Sequence, residues 1–363
     1  MSEVSDLISN LTREEKLVAL EELKNNLSKE DDAAKEQTKK RPSESQHDEQ
    51  EKKKTKLSDE LTDEITKTSN ERILEMGHIY FFYRPKVGVD KVQGVQDVQR
   101  FFFILKPISA NDAEAKKNRL VVVGKKMMPY INQHQNKSNA FWSCIDIASN
   151  NLEDLTKELT SKTYDTITKG QRTVEEVRIV GEGHYSFVRN KDNSTSLAYV
   201  LEMPQEVTPV QKAFNIEKEA SYTISVKNPG NPPQQQEPIK EEDHSATFIT
   251  GQRSSPNQNN QPSSGRHVSL PDHLKELFKA NGSERTFIAL NPIDFLEYEG
   301  LEMLLIGTSA DLVQELGEAG KIVEEEAEQE AKEGVFDSAE SLFKELKMRG
   351  KDHPIAPLSG KWE

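Results

Sequence analysis

The sequence predicts an α+β domain: a mixed or antiparallel β-sheet core with peripheral helices, preceded by a disordered N-terminal arm. Three observations predict it. Two dense apolar runs, Ile79–Tyr83 and Phe101–Leu105, are mostly aromatic or β-branched, which suits strands buried on both faces. Gly183–Arg189 and Leu197–Met203 flank the turn cluster Asn190–Ser196 and read as a hairpin. Leu152, Leu155 and Leu159, and later Leu342, Phe343 and Leu346, fall on helical faces.

Composition narrows the class. The 363 residues are 34% hydrophobic, so a good part of the chain is expected outside any core. The net charge of −14 disfavours unaided binding to a phosphate backbone. No stretch approaches the ~18 apolar residues of a membrane span, and the start lacks a signal peptide's apolar centre. The single cysteine, Cys144, excludes an intramolecular disulfide and a cysteine-based zinc cage. A reducing, intracellular setting is the expectation.

Residues 1–72 form the expected arm. Leu7, Leu11, Leu17, Leu20 and Leu23 are spaced almost helically, and Thr12 with Glu15 is a capping box. The polar tract 29–72 cannot bury enough apolar area to offset ordering entropy. Inside it, Lys39, Lys40 and Arg41 precede Lys52, Lys53 and Lys54 by a flexible spacer. Two basic clusters so spaced look like a bipartite nuclear import signal, read by acidic grooves of an import carrier. The bland reading is a solvated charge run. Glu44, Asp48, Glu49 and Glu51 cancel much of the charge and argue against direct nucleic-acid binding.

The core is expected over residues 73–308. Each opening strand closes on a basic residue and a proline, Arg84-Pro85 and Lys106-Pro107, because proline has no N–H for a ladder. Leu120–Val123 is the next strand, after a charged loop over Ser109–Arg119. Asn139–Ile147 holds Trp142 and a buried Cys144. Thr160–Val180 is polar with weak alternation. A short helix at Glu206–Phe214, strands at Ala220–Val226 and Thr286–Leu290, a helix at Pro271–Lys279 and a last strand at Leu301–Gly307 complete the core. Residues 229–266 are a Pro-, Gln-, Asn- and Ser-rich insertion with no expected fold.

Residues 309–363 read as one or two acidic helices and a proline-rich tail. Asp311–Glu345 carries twelve acidic residues against three lysines. Glu324, Glu325, Glu326, Glu328 and Glu330 are expected in solvent as an acidic interaction surface, while Leu342, Phe343 and Leu346 pack on the core. Trp362 is expected to fold back onto the domain.

Gly77-His78 and Gly183-His184 open similar strand pairs, each closed by proline, with a third pair in NRLVVV and ASYTISV. Duplication into two similar halves is one account. The match is short and gapped, so chance similarity of two strand-turn-strand units is preferred. If the halves face one another, His78 and His184 converge, and Arg84 near a strand end adds a candidate ligand site. Ordinary hydrogen-bonded strand-end side chains are the simpler reading. Nothing supplies a third metal ligand, so neither a metal nor a cofactor is expected. No phosphate-cradling, nucleophile-elbow or zincin motif is present.

Taken together, GHIYFFYRPKV, VQRFFFILKP, LAYVLEMP, VQKAFNIEKEASYTISVKNP, FLEYEGLEMLLIG and HPIAPLSGKWE resemble a family of uncharacterised proteins. It occurs in fungi and, in shorter form, in bacteria, and fungal members often carry the label "BTB domain transcription factor". The resemblance runs from about residue 73 to the end and implies that domain extent. It implies no catalytic residue, and the chain carries neither a BTB pattern of alternating strands and helices nor a DNA-binding motif.

Two functions are then in play. One is a non-enzymatic nuclear interaction protein, also present in the cytoplasm, linked to transcription or chromatin and binding basic nuclear proteins. The other is a small-molecule or anion-binding enzyme that uses His78, Arg84 and His184. Convergence of those three side chains within hydrogen-bond reach is the discriminating observation.

Overall fold

The computed structural model describes residues 72–89, 91–108, 116–131, 139–166, 170–230, 268–280, 283–333, 339–348 and 355–362. The N-terminal helix, the basic clusters and nearly all of the low-complexity insertion lie outside the described residues. So does Glu330 as a side chain.

The aromatic runs do form strands, longer than expected at both ends. In chain order they are β1 (Ile73–Pro85), β2 (Val98–Pro107), β3 (Asn118–Val123) and β4 (Ala140–Ser149). The second series is β7 (Arg178–Arg189), β8 (Thr195–Met203), β9 (Glu219–Lys227) and β13 (Glu302–Ser309). Pro85 and Pro107 are the last residues of their strands, and β8 stops at the residue before Pro204. The polar, weakly alternating stretch after residue 160 forms a separate hairpin of β5 (Lys162–Thr166) and β6 (Gly170–Val174), and the short β10 (Lys279–Ala280) and β11 (Ser283–Glu284) pair likewise.

All the ladders are antiparallel, and the sheet closes. Around the ring the order is β9-β13-β4-β3-β2-β1-β7-β8, and β8 pairs back to β9. Short β12 (Phe287–Ala289) attaches to β9 beside this eight-stranded barrel. A ring of eight is just wide enough for side chains to fill its interior. Here Phe81, Phe103, Phe187, Tyr199, Tyr222 and Leu305 belong to one continuous apolar cluster fed by every strand of the ring.

Both faces of β1 are buried because helices cover the outside. Tyr80, Phe82, Phe102 and Ile104 pack under α1 (Leu152–Leu159) and α6 (Ala339–Glu345), through Leu155, Leu159, Leu342, Phe343 and Leu346. Asn151 caps α1 by accepting from Glu153 N at 3.1 Å. Between these, α2 (Pro209–Ala213) has a capping box from Thr208 and Gln211. Among its described residues, the C-terminal region after residue 309 forms three helices where one or two are expected: α4 (Leu312–Leu316), α5 (Glu318–Glu333) and α6, numbered after α3 (Asp272–Glu276).

Each barrel end is plugged. At the Tyr83 end, Phe214 stacks on Tyr83 at 5.3 Å and on Phe101 at 5.2 Å between ring centroids, and Trp362 lies 6.1 Å from Tyr83. The C-terminal tryptophan does fold back. At the other end, a 3-10 turn at Ile293–Glu297 brings Phe295 and Leu296 into the core.

The two series of strands are alike. Each is a four-stranded meander; the first strands pair with one another and so do the last. The likeness reaches single residues. A Cβ added at Gly77 would lie 2.2 Å from Lys106 O, and one at Gly183 would lie 2.1 Å from Val200 O. In both cases glycine permits a close approach of the next strand's backbone. Short strand similarity alone gives no reason for this shared packing, which favours two similar halves over coincidence.

Candidate functional site

His78 and His184 face each other across the β1–β7 ladder on the outside of the barrel. Their rings are edge-on with centroids 6.3 Å apart. Alternation along β7 puts Glu182, His184 and Ser186 on that same outer face. His78 Nδ1 is 3.8 Å from Glu182 Oε1. All four side chains are buried, His184 at 1% and Glu182 at 0% exposure. The convergence expected for the two histidines is therefore real, and it comes from the pairing of the two meanders.

Arg84 does not join them. It lies six steps along β1 from His78, about 20 Å at the usual rise. Its Nη2 donates to Glu158 O at 2.5 Å and its Nη1 to the carbonyls of Thr160 and Glu175. Glu158 and Thr160 end α1, so Arg84 serves as a cationic cap for the helix's unpaired carbonyls. Burial, opposed by Glu158 and assisted by Arg100, pushes the Arg84 pKa down to about 10. Lys106, the other strand-end cation, pairs with Glu345 and ties β2 to α6. The three-residue ligand site thus separates into a histidine pair and a structural cap.

Among the described residues, no group of three histidine, cysteine, aspartate or glutamate side chains is arranged to hold a metal ion. No helix among them is long and apolar enough to cross a membrane. Cys144 is buried, as expected for a small apolar residue.

The acidic helix departs from expectation in part. Ala319 and Val323, before the Glu-rich stretch, pack against Val188 of β7 and Ala198 of β8, while Ala327, inside the stretch expected in solvent, is buried one turn on. Their spacing makes a narrow seam that the alanines hid from an inspection for large apolar residues. The outer face keeps Glu325 and Glu328 exposed and Glu326 half-buried. Part of this charge is paired along the helix, Lys321 with Glu325 at 3.4 Å and Lys332 with Glu328 at 3.3 Å. Glu324 is half-buried, and burial first, then the nearby charge of Glu219 at the start of β9, pushes its pKa up to about 7.

The charge cluster that sequence reading missed is inside the barrel. Arg119, placed by sequence in a loop, lies in β3 with no exposure. Its guanidinium reaches Glu75 at 2.5 and 3.0 Å and Glu297 of the end plug at 2.5 Å. Tyr185 donates to Glu75 at 2.6 Å. Burial opposes the Arg119 charge, but Glu75, with Tyr185 and Glu297, outweighs it and raises the pKa. Burial, then the Glu75 charge, raises Tyr185 well above its ordinary value. A carboxylate at Glu75 followed by an arginine 44 residues later carries no local pattern, so only the ladder registers could have revealed it.

Comparison with known proteins yields no match among family models, curated proteins or solved structures.

Proposed function

We propose that the chain is a non-enzymatic nuclear interaction protein, in which a filled barrel serves as scaffold and α5 offers an acidic face to basic protein partners. The observation that carries this reading is the position of α5. One side of the helix is seated on β7 and β8, and the opposite side presents Glu325 and Glu328. A charged face on a docked helix is preorganised, so a cationic partner does not have to order it. The side chains occupying the barrel interior also favour a scaffold over a carrier of small molecules. Arg84, committed to carbonyls of α1 and its neighbours, gives the anion-binding enzyme reading no support.

Core histones are a suitable basic probe. Wild-type chain is expected to retain them at low salt and to lose most of them at physiological salt, as surface charge is screened. Gln at Glu324, Glu325, Glu326, Glu328 and Glu330 should reduce the low-salt recovery several-fold. Equal recovery by the Gln variant would remove the acidic-surface reading.

Nuclear entry is assigned to the two basic clusters of the N-terminal arm. Replacing Lys52, Lys53 and Lys54 by Ala is expected to shift a fluorescent fusion from nucleus to cytoplasm. Nuclear signal unchanged in that variant, in a fusion too large to diffuse passively, would sink the import assignment.

A further inference from the structure

Several barrel lysines are paired with carboxylates: Lys106 with Glu345, Lys116 with Asp294 and Lys227 with Glu302. Four others, Lys86, Lys125, Lys126 and Lys212, have no carboxylate partner among the described residues. They meet at the Tyr83 end of the barrel. Lys86 follows the last residue of β1, and Lys125 and Lys126 lie in the turn after β3. The ladders align those strand ends, with Tyr83 opposite Phe101 and Phe101 opposite Val123. Lys212 lies on α2, and Met128 N donates to Phe214 O at 2.9 Å, which brings that helix to the same turn.

Lys86, Lys125 and Lys212 are exposed, and Lys126 is half-buried. Neutral groups hold two of them in place. Lys126 Nζ donates to Val98 O at 2.9 Å, and Lys125 Nζ lies 4.9 Å from the centre of the Phe141 ring. Burial first, then the charge of Lys86, holds the Lys126 pKa below the ordinary lysine value. Beside them Arg84 and Arg100 stand directly opposite each other across the β1–β2 ladder, which is unfavourable for like charges. Three nearby carboxylates are engaged: Asp97 accepts from Gln93 N, Glu158 pairs with Lys162, and Glu176 pairs with Arg178. In a chain of net charge −14, cations are thus gathered here against their mutual repulsion.

We propose that this end of the barrel is a docking surface for a short acidic segment of a partner protein, gripped by Lys86, Lys125, Lys126 and Lys212. A partner's carboxylates supply the counter-charge that the end itself lacks, and two of the four ammonium groups are already positioned. Nucleic acid fits the surface less well. The exposed large apolar side chains among the described residues are Ile108, Leu277, Val313 and Ile355, so none is an aromatic ring that stacks a base. A long polyanion running past the lysines meets a chain that is negative overall. The surface is separate from α5, which is seated on β7 and β8, and it does not depend on whether α5 binds a partner.

Fluorescence anisotropy of a labelled oligoglutamate, titrated with the full chain, tests it. Wild type is expected to bind at low salt and to weaken about tenfold at physiological salt, as exposed charges are screened. Lys86→Gln, Lys125→Gln, Lys126→Gln and Lys212→Gln combined should weaken low-salt binding about tenfold. Lys126 also ties its turn to Val98 O, so a second variant keeps it and carries the other three substitutions. That variant should still weaken binding about threefold. The basic clusters of the N-terminal arm are the competing cations. A chain with Lys52, Lys53 and Lys54 replaced by Ala should therefore bind as wild type does. No binding at low salt, wild-type binding by both barrel-end variants, or loss on the arm substitutions instead overturns the assignment. So does tighter binding of a short DNA duplex than of oligoglutamate, lost in the same barrel-end variants, which would make the surface a nucleic-acid site.

Discussion

Replacing Arg119 by methionine should destabilise the barrel by about 3–5 kcal/mol, because removing one member of a buried ionic cluster leaves the others uncompensated. Arg119 is fully buried and holds both Glu75 and Glu297. Without it, the Glu75 carboxylate keeps only Tyr185 in a low-dielectric interior, and the 3-10 turn that plugs this end is tied to the wall by Lys116 and Lys117 alone. Equilibrium unfolding in urea reads the loss as a lower midpoint at unchanged slope. A second variant separates charge from volume. Glu75→Gln, Arg119→Met and Glu297→Gln combined should recover much of the loss, since replacing a whole buried ion cluster is often near neutral. An Arg119→Met chain as stable as wild type would mean the cluster is solvated. Equal loss in single and triple variants would assign the cost to packing instead of charge.

The second large effect is expected at the paired glycines. Gly77→Ala and Gly183→Ala should each cost about 2–3 kcal/mol, since the new methyl meets backbone that no rotamer change can move. The obstructing atoms are Lys106 O and Val200 O, at 2.2 and 2.1 Å from the added Cβ. The two sites border the same β1–β7 ladder, Gly77 opposite Tyr185 and Gly183 opposite Ile79. Their effects should therefore couple, the double variant departing from the sum of the singles. Similar losses at both sites would show that the two meanders use glycine in the same way. A neutral Gly183→Ala beside a costly Gly77→Ala would break that equivalence.

Each of these results turns on a contact between distant segments, and there the sequence was least informative. The histidine pair was legible as a repeated Gly-His, but its relation to Arg84 was not. Arg84 lies on the same strand as His78, and sequence proximity suggested one site where strand rise imposes about 20 Å. In the acidic helix, the charge was plain and the seat was not. Alanine counts little in an apolar pattern, yet it lets a helix approach a sheet closely. Glu324 could not be told from its neighbours by type, and only the seating of the helix half-buries it near Glu219.

What the sequence determined by itself is what local physics determines. Dense aromatic and β-branched runs ending in proline specify β1, β2 and β8, and leucines at helical spacing after Asn151 specify α1. From these the α+β class and its sheet core follow. The tertiary structure decided that the sheet closes, that β8 returns to β9, and that Arg119 meets Glu75 and Glu297 inside. Ladder hydrogen bonds are made by backbone groups that every residue carries, so sequence type says little about which strand a given strand will pair with. Closure is selected by the whole set of faces buried at once, a sum over segments that no single stretch contains.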